Sequence, residues 1–322
     1  MIAIREYSGR GFIEREDLCD GCWVDARSVS NMDLVRLEKE FGISQELLTD
    51  LMDADEQSRI EQEDEYTAFI VRVPVYDISL EIIYYTVPLG IILFPNKIIT
   101  VCQSSSAAID DMVNNRFRGF QMKKQSAFVL HVLGRAAAAY LKALKELNRN
   151  ANNTELELRK SVQNRELIQL LSIQKSLVFF TTSLQANSLV LEKMKKSPFL
   201  RLQEEEQDLL DDVITDNMQA TEMANIYSSI LTGTMDAFAS VISNNMNIVM
   251  KRLAMINIVL MIPTLIYSFY GMNIDLPLQH HPLSLIFILG LSLVISTLGV
   301  VLLNANSSAA KRVSYHGEKK CR

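Results

Sequence analysis

The chain has 322 residues, 48% of them apolar, and a formal net charge of −6. That supplies one soluble domain of ordinary size plus a membrane portion, and nucleic acid is not an expected partner. The four cysteines do not make a disulfide framework for a cytosolic domain.

The N-terminus, Met1-Ile-Ala-Ile-Arg-Glu-Tyr7, has no apolar core of a cleaved signal, so residues 1–250 are expected in the cytoplasm. Cys19 and Cys22 form a C-x-x-C, but no second Cys/His pair at matching spacing accompanies them. Cys102 falls on an expected strand and Cys321 in the tail, so two small side chains beside a turn are favoured over a zinc site or redox pair. Between Ser30 and Asp53, Leu34, Leu37, Phe41, Leu47, Leu48 and Leu51 suit short helices. Phe69–Val75, Ile82–Val87, Gly90–Phe94 and Ile98–Val101 are rich in β-branched and aromatic residues and read as strands. An α/β domain on a mixed sheet is expected over residues 1–125.

Residues 126–202 read as a cytosolic helical region. Helices are expected over Ala127–Leu147 and Glu155–Leu184, with breaks at Asn148–Thr154 and at Lys195-Lys-Ser-Pro198. From about Gln203 no proline occurs until Pro263, so a stalk (residues 203–252) runs on into an apolar segment as one helix, on the order of 100 Å long.

Two apolar segments follow, Leu253–Tyr270 and Leu283–Leu303, each long enough to cross a hydrocarbon core roughly 30 Å thick. The expected division is a first span over 253–273, an external loop over 274–282, a second span over 283–303 and a basic tail over 304–322. Lys251 and Arg252 precede the first span. Lys311, Arg312, Lys319, Lys320 and Arg322 follow the second, and the loop has no Lys or Arg. The positive-inside rule then puts both termini in the cytoplasm of a plasma-membrane protein.

One face of the long helix is small and polar. Ser229, Thr232, Asp236, Ser240, Ser243, Asn247, Met250, Ala254, Asn257, Met261, Thr264 and Ser268 recur at steps of three or four, close to the period of a helix facing a supercoil axis. Polar groups of this kind in lipid face a bundle interior or a water-filled path. The competing explanation is a small-residue packing seam, although Ile256, Leu260, Ile262 and Leu265 already supply apolar surface on other faces. Two spans cannot enclose a pore alone, so if the stripe lines a pore, several copies must surround one axis.

Tyr270-Gly271-Met272-Asn273 closes the first of the two segments. A Gly-Met-Asn there, with a long acidic N-terminal region before it, resembles the CorA family of divalent-cation transporters. The resemblance implies a CorA-like homopentamer: an α/β cytosolic domain, a long α-helical stalk and two C-terminal transmembrane helices. It implies that Asn273, with Tyr270, Gly271 and Met272 beside it, forms a ring at the external mouth. The amide oxygen of Asn273 is a hard ligand suited to Mg²⁺, which keeps several waters, and Gly271 would allow the tight turn. Met261 and Thr264 would lie deeper in the pore, Met250 and Leu253 would form a hydrophobic gate, and Asn247 and Asp236 would lie below it. Asn257 departs from the small residue usual in the family. Asp275 in the loop would draw cations to the mouth, whereas His280 and His281 are an incomplete metal site.

Glu204–Asp212 and Asp216 put seven carboxylates on the upper stalk with no base among them, and a second acidic run covers Asp53–Glu65. Such runs are commonly solvated faces, yet a divalent ion would relieve repulsion between copies. CorA-like proteins are closed by cytosolic Mg²⁺ held between subunits, and the matching positions are Asp50 and Asp212. No cofactor is expected beyond Mg²⁺ as substrate and regulatory ligand. No phosphate loop and no ionisable residue inside either span suggests energy coupling. No catalytic constellation points to an enzyme, with His131 and His316 reading as structural and tail residues. The expected function is potential-driven Mg²⁺ influx across the bilayer, closed by internal Mg²⁺. A Zn²⁺ exporter or Co²⁺/Ni²⁺ transporter of the same superfamily stands as the alternative, and a non-conducting cation sensor as the alternative from another class.

Overall fold

The computed structural model describes residues 1–8, 11–77, 82–114, 125–160, 164–197, 202–272, 283, 286–299 and 301. The chain divides into two compact units, Met1–Asp236 and Ala237–Arg322.

In the first unit the strands are β1 (Ile2–Tyr7), β2 (Phe12–Arg15), β3 (Cys22–Arg27), β4 (Arg59–Gln62), β5 (Thr67–Tyr76), β6 (Tyr84–Phe94) and β7 (Lys97–Cys102). They form one sheet in the order β2-β1-β3-β7-β6-β5-β4. Only β3 and β7 pair in parallel, the other neighbours being antiparallel, so the mixed sheet expected from the sequence is present. The helices are α1 (Asn31–Phe41), α2 (Gln45–Asp50), α3 (Ala107–Val113), α4 (Gln125–Lys160), α5 (Asn164–Lys196) and α6 (Glu204–Tyr270). The last of these continues into the second unit.

Alternate side chains of each strand go to opposite faces, and here both faces are covered. Phe69, Val71 and Val73 of β5 pack with Phe128, Val129 and Val132 of α4, Val190 and Met194 of α5, and Leu210 and Val213 of α6. Ala68 and Ile70 of the same strand join Ile92, Ile99 and Val101 against Leu37 and Phe41 of α1 and Leu47 and Leu48 of α2. A sheet buried on both sides reads as apolar runs rather than alternation. Each large side chain so enclosed contributes about 1.5–3 kcal/mol. The changes of region expected at residues 126 and 203 are therefore changes of secondary structure within one packed unit.

Local signals explain where these elements begin and end. Ser30 and Asp33 form a reciprocal capping box at the start of α1, and Gly42, at φ +76°, ends it. The two strands expected over Ile82–Val87 and Gly90–Phe94 are one strand, β6. Gly90 in its middle marks a close approach: a Cβ there would stand 2.5 Å from Leu51 Cδ1. The break expected at Asn148–Thr154 is absent, because α4 runs through it to Lys160. Thr154 is buried and turns its hydroxyl back to the Asn150 carbonyl at 2.9 Å. Leu147, Ala151 and Asn152 meet Tyr227, Ile230 and Leu231 of α6 around a small cavity, so packing outweighs the poor helix propensity of asparagine. The helix expected over Glu155–Leu184 is accordingly divided between α4 and α5. The end at Lys195–Pro198 is where α5 stops.

A buried polar network joins the sheet to α5. Arg72, on β5, donates from Nε to Ser183 Oγ at 2.9 Å, from Nη1 to the Glu56 carbonyl at 2.6 Å and from Nη2 to the Ala54 carbonyl at 2.8 Å. Asn187 accepts from the Arg72 amide at 2.9 Å and donates to the Arg72 carbonyl at 2.8 Å. No carboxylate pairs with Arg72 among the described residues. Its donors go to neutral acceptors instead, which fastens the acidic segment after α2 to the core.

In the second unit α6 continues to Tyr270, and a short apolar helix, α7 (Ile286–Gly299), follows. Tyr267 Oη and Ser292 Oγ stand 3.4 Å apart. By length and composition α4, α5 and α6 could each cross a membrane, but the apolar stretches of α4 and α5 are partly buried against protein, whereas that of α6 is not buried at all.

Candidate functional site

The stripe lies on α6 as expected, and all twelve of its positions are exposed. Exposure alone does not distinguish them, since Leu253, Ile256, Leu260 and Leu265 are exposed too. Orientation does. In the second unit the residues sheltered on α6 include Ile258, Ile262, Pro263 and Ile266, and Tyr267 reaches Ser292 of α7. At 3.6 residues per turn, Asn257, Met261, Thr264 and Ser268 centre on a direction roughly opposite to that sheltered face. The stripe is therefore not the seam between α6 and α7. Met250, Leu253 and Met261 are 58%, 50% and 68% exposed, leaving the expected gate and inner-pore side chains open to neighbours outside this chain. Asn247 and Asn257 are exposed on the same face. Thr264 donates its hydroxyl to the Leu260 carbonyl at 2.7 Å, so its oxygen lone pairs remain available to an ion or its waters.

In the first unit Ser229 and Asp236 are exposed, and Thr232 donates to the Ser228 carbonyl at 2.9 Å while accepting from Gln174 Nε2 at 3.1 Å.

Gly271 has no positive φ; its amide donates to the Tyr267 carbonyl at 2.9 Å, and that of Met272 to the Phe269 carbonyl at 3.3 Å. Gly271 is a turn residue after the last helical position, and residues 273–282, into which the expected tight turn leads, lie outside the described residues. Tyr270 stacks edge-on to Phe269. Asn273, Asp275, His280 and His281 lie outside the described residues, as do Cys321, His316, the tail bases and residues 284, 285, 300, 302 and 303 of the expected second span.

The acidic runs are less free than the sequence implies. Asp50 Oδ2 accepts from Arg59 Nη2 at 2.6 Å, and the same guanidinium binds Glu56 and, at 2.5 Å, Glu61 Oε1. Three carboxylates share one base, so the cluster keeps a net negative charge. On α6, Glu206 is buried, accepting from Ser126 Oγ at 2.6 Å and from the Gln203 amide at 2.9 Å. Asp211 pairs with Lys195 Nζ of α5 at 2.7 Å. The upper stalk does have a compensating base, supplied by the neighbouring helix, and two of its seven carboxylates serve the fold. Asp212 is exposed. No group of three or more His, Cys, Asp or Glu able to hold a metal occurs among the described residues.

The C-x-x-C lies at a turn, with the Cys22 amide donating to the Cys19 carbonyl at 3.2 Å and Gly21 at φ +78°. Burial, and then Cys22, raise the Cys19 thiol above its usual pKa, which disfavours the thiolate that metal or redox chemistry needs. Burial pushes Cys102 up to about 11. His131 is lowered, first by burial and then by Arg135.

Sequence reasoning missed Arg59, Lys195 and Ser292. Arg59 was legible as the single base within Asp53–Glu65, and Lys195 as a base in the last turn of α5 facing an acidic helix start. Ser292 belongs to a small-xxx-small pair with Ser296, a known signature of close helix contact in membranes.

An α/β domain followed by long helices, the last bearing a polar face through an unburied apolar segment, defines a membrane transport protein of the kind built on one long helix. A family model described as CorA-like Mg²⁺ transporter protein matches residues 20–304, and the chain belongs to that family. It is 27% identical over 278 residues to the cobalt/magnesium transport protein CorA of Methanocaldococcus jannaschii, covering 85% of this chain and 86% of that protein. The CorA of Thermotoga maritima is 23% identical over 258 residues, covering 79% and 73%. The complete structure of the M. jannaschii CorA magnesium transporter superimposes with a TM-score of 0.78 at 24% identity, over 94% of this chain and 96% of that one. The ZntB cytoplasmic domain from Vibrio parahaemolyticus shares the fold at 11% identity and a TM-score of 0.57, over 76% and 97%. The family's members are transporters, and the CorA-like fold expected from the sequence is the one observed.

Proposed function

We propose that the protein is a Mg²⁺ channel of the plasma membrane, with two spans per chain, both termini in the cytoplasm and five copies around the pore. The observation that carries this reading is the polar stripe from Ser240 to Ser268, exposed on the face of α6 turned away from α7. A stripe of hydroxyls and amides in an apolar helix is costly unless it meets water or other polar groups, and a ring of copies supplies both. Met250 and Leu253 then close the path by dewetting, Met261, Thr264 and Asn257 line it, and Asn273 holds the hydrated ion at the mouth. At about 2.3 kcal/mol per charge per 100 mV, a divalent ion gains about 4.6 kcal/mol, on the order of a thousandfold gradient. Uptake then needs no ATP. The likeness to the ZntB domain concerns the fold alone and does not favour zinc.

The test is uptake into proteoliposomes with an inside-negative potential, read with a Mg²⁺-sensitive dye. Wild type should take up Mg²⁺, and Asn273→Ala should lose most of that flux. No uptake by assembled wild type at any internal Mg²⁺ level would remove the reading.

Closure by internal Mg²⁺ is proposed to act between subunits, through Asp50 of one and Asp212 of the next. Arg59 leaves its three-carboxylate cluster negative, so a divalent ion is attracted without displacing the base entirely. In the same assay, the Asp50→Asn, Asp212→Asn double variant should conduct at millimolar internal Mg²⁺. Normal shut-off in that variant would assign closure to other residues.

A further inference from the structure

We propose that the cavity between α6 and α7 binds a hydroxyl-bearing amphiphile entering from the lipid phase. The cavity measures about 560 Å³ and is lined by Val259, Pro263 and Tyr267 of α6 and by Leu289, Ser292, Leu293, Ser296 and Thr297 along α7, with Val301 beyond it. That size falls within the roughly 300–1,000 Å³ of small-molecule sites.

Its polar groups are not alike. Thr297 donates to the Leu293 and Val294 carbonyls at 2.9 Å, and Ser292 donates to the Leu289 carbonyl at 2.9 Å and approaches Tyr267 Oη. Ser296 is 6% exposed, and its buried hydroxyl has no hydrogen-bond partner. A serine in a helix ordinarily returns its hydroxyl to a carbonyl one turn back, as Ser176, Ser188 and Thr264 do here. Across the cavity Pro263 lacks the N–H that would close the helical bond to the Val259 carbonyl. An unmade hydrogen bond in hydrocarbon is costly. An alcohol hydroxyl meets the demand of Ser296 by accepting from it while its chain fills the apolar walls, and the Pro263 turn on the facing helix adds a carbonyl short of one helical bond to the same lining. A pure hydrocarbon tail satisfies neither, and a charged headgroup has no counter-ion among the lining residues. Ser292 and Ser296 also fit a small-residue packing seam, a reading under which alcohol labelling of the cavity would not saturate.

The site goes beyond the ion path, since it lies on the side of α6 opposite the stripe, and binding can be read without any transport. The experiment uses the full chain in phosphatidylcholine nanodiscs, photolabelled with a diazirine-bearing octanol and mapped by peptide mass spectrometry. Labelling should be saturable, concentrated in residues 259–267 and 289–301, and competed by decanol but not by decane. Competition by dioleoylglycerol as well would identify a membrane lipid as the source, and competition by decanol alone a free alcohol. Ser296→Ala should lower the labelling about three- to tenfold, the worth of one interhelical hydrogen bond in a membrane, and Ser296→Leu should abolish it by filling the space. If the leucine variant does not assemble on size exclusion, the alanine variant decides. Labelling that does not saturate, spreads equally to Leu260 and Leu265, or is unchanged in Ser296→Ala overturns the proposal.

Discussion

In Met1–Asp236 a core of large side chains is inside: Trp23, Phe69, Phe128, Tyr140 and Phe180 are essentially inaccessible. In Ala237–Arg322 residues of the same kind stand in the open, with Leu260, Leu265 and Leu293 between 62% and 73% exposed. The polar groups differ in the opposite sense. The first unit buries Arg72, Asn187 and Ser183 in a network where each finds partners, whereas the second exposes Ser240, Ser243, Asn247, Asn257 and Ser268 along one stripe of α6 and shelters Ser292 and Ser296 on α7. Composition does not separate the two patterns; what covers each surface does. The first unit is closed by its own chain, whereas the apolar faces of the second are left uncovered by it.

The comparison breaks most readily by cutting the chain. A fragment ending at Asp236 should stay in solution without detergent and keep its secondary structure by circular dichroism, while the full chain partitions almost wholly into membranes. A fragment that aggregates or requires lipid would show that the first unit's core is not self-sufficient.

A smaller effect sharpens it. Asn187→Ala removes three side-chain hydrogen bonds, two to the Arg72 backbone and one from Ser58 Oγ, and takes the partner from the buried Arg72 amide, while the Arg72 carbonyl keeps Tyr140 Oη at 3.1 Å. The expected loss is about 2–4 kcal/mol, seen as a lower urea midpoint at unchanged slope. A change under about 0.5 kcal/mol would mean that water replaces the asparagine at no cost.

Much of this was legible in the sequence, for identifiable reasons. Strong β-branched runs located β5, β6 and β7, and the proline-free interval from Gln203 to Pro263 located α6, because each signal spans many residues. The stripe was legible because a polar residue every three or four positions in an apolar segment has few explanations. Legibility failed where tertiary contact decides. Asn148–Thr154 is helical because α6 packs beside it, and Gly90 sits in mid-strand because Leu51 approaches it. Asp50 and Asp211 look free until Arg59 and Lys195, distant or on another helix, arrive beside them.

The central claim is that one face of α6 meets water and ions, and single cysteines can test it in the proteoliposome flux assay. Cysteine placed at Ser243, Asn257, Thr264 or Ser268 should let a charged thiol reagent block Mg²⁺ uptake, while Ile256→Cys, Leu260→Cys and Leu265→Cys should respond no more than wild type with its own four cysteines. Equal block on both faces, or block confined to the apolar one, would contradict the assignment of the stripe to the pore.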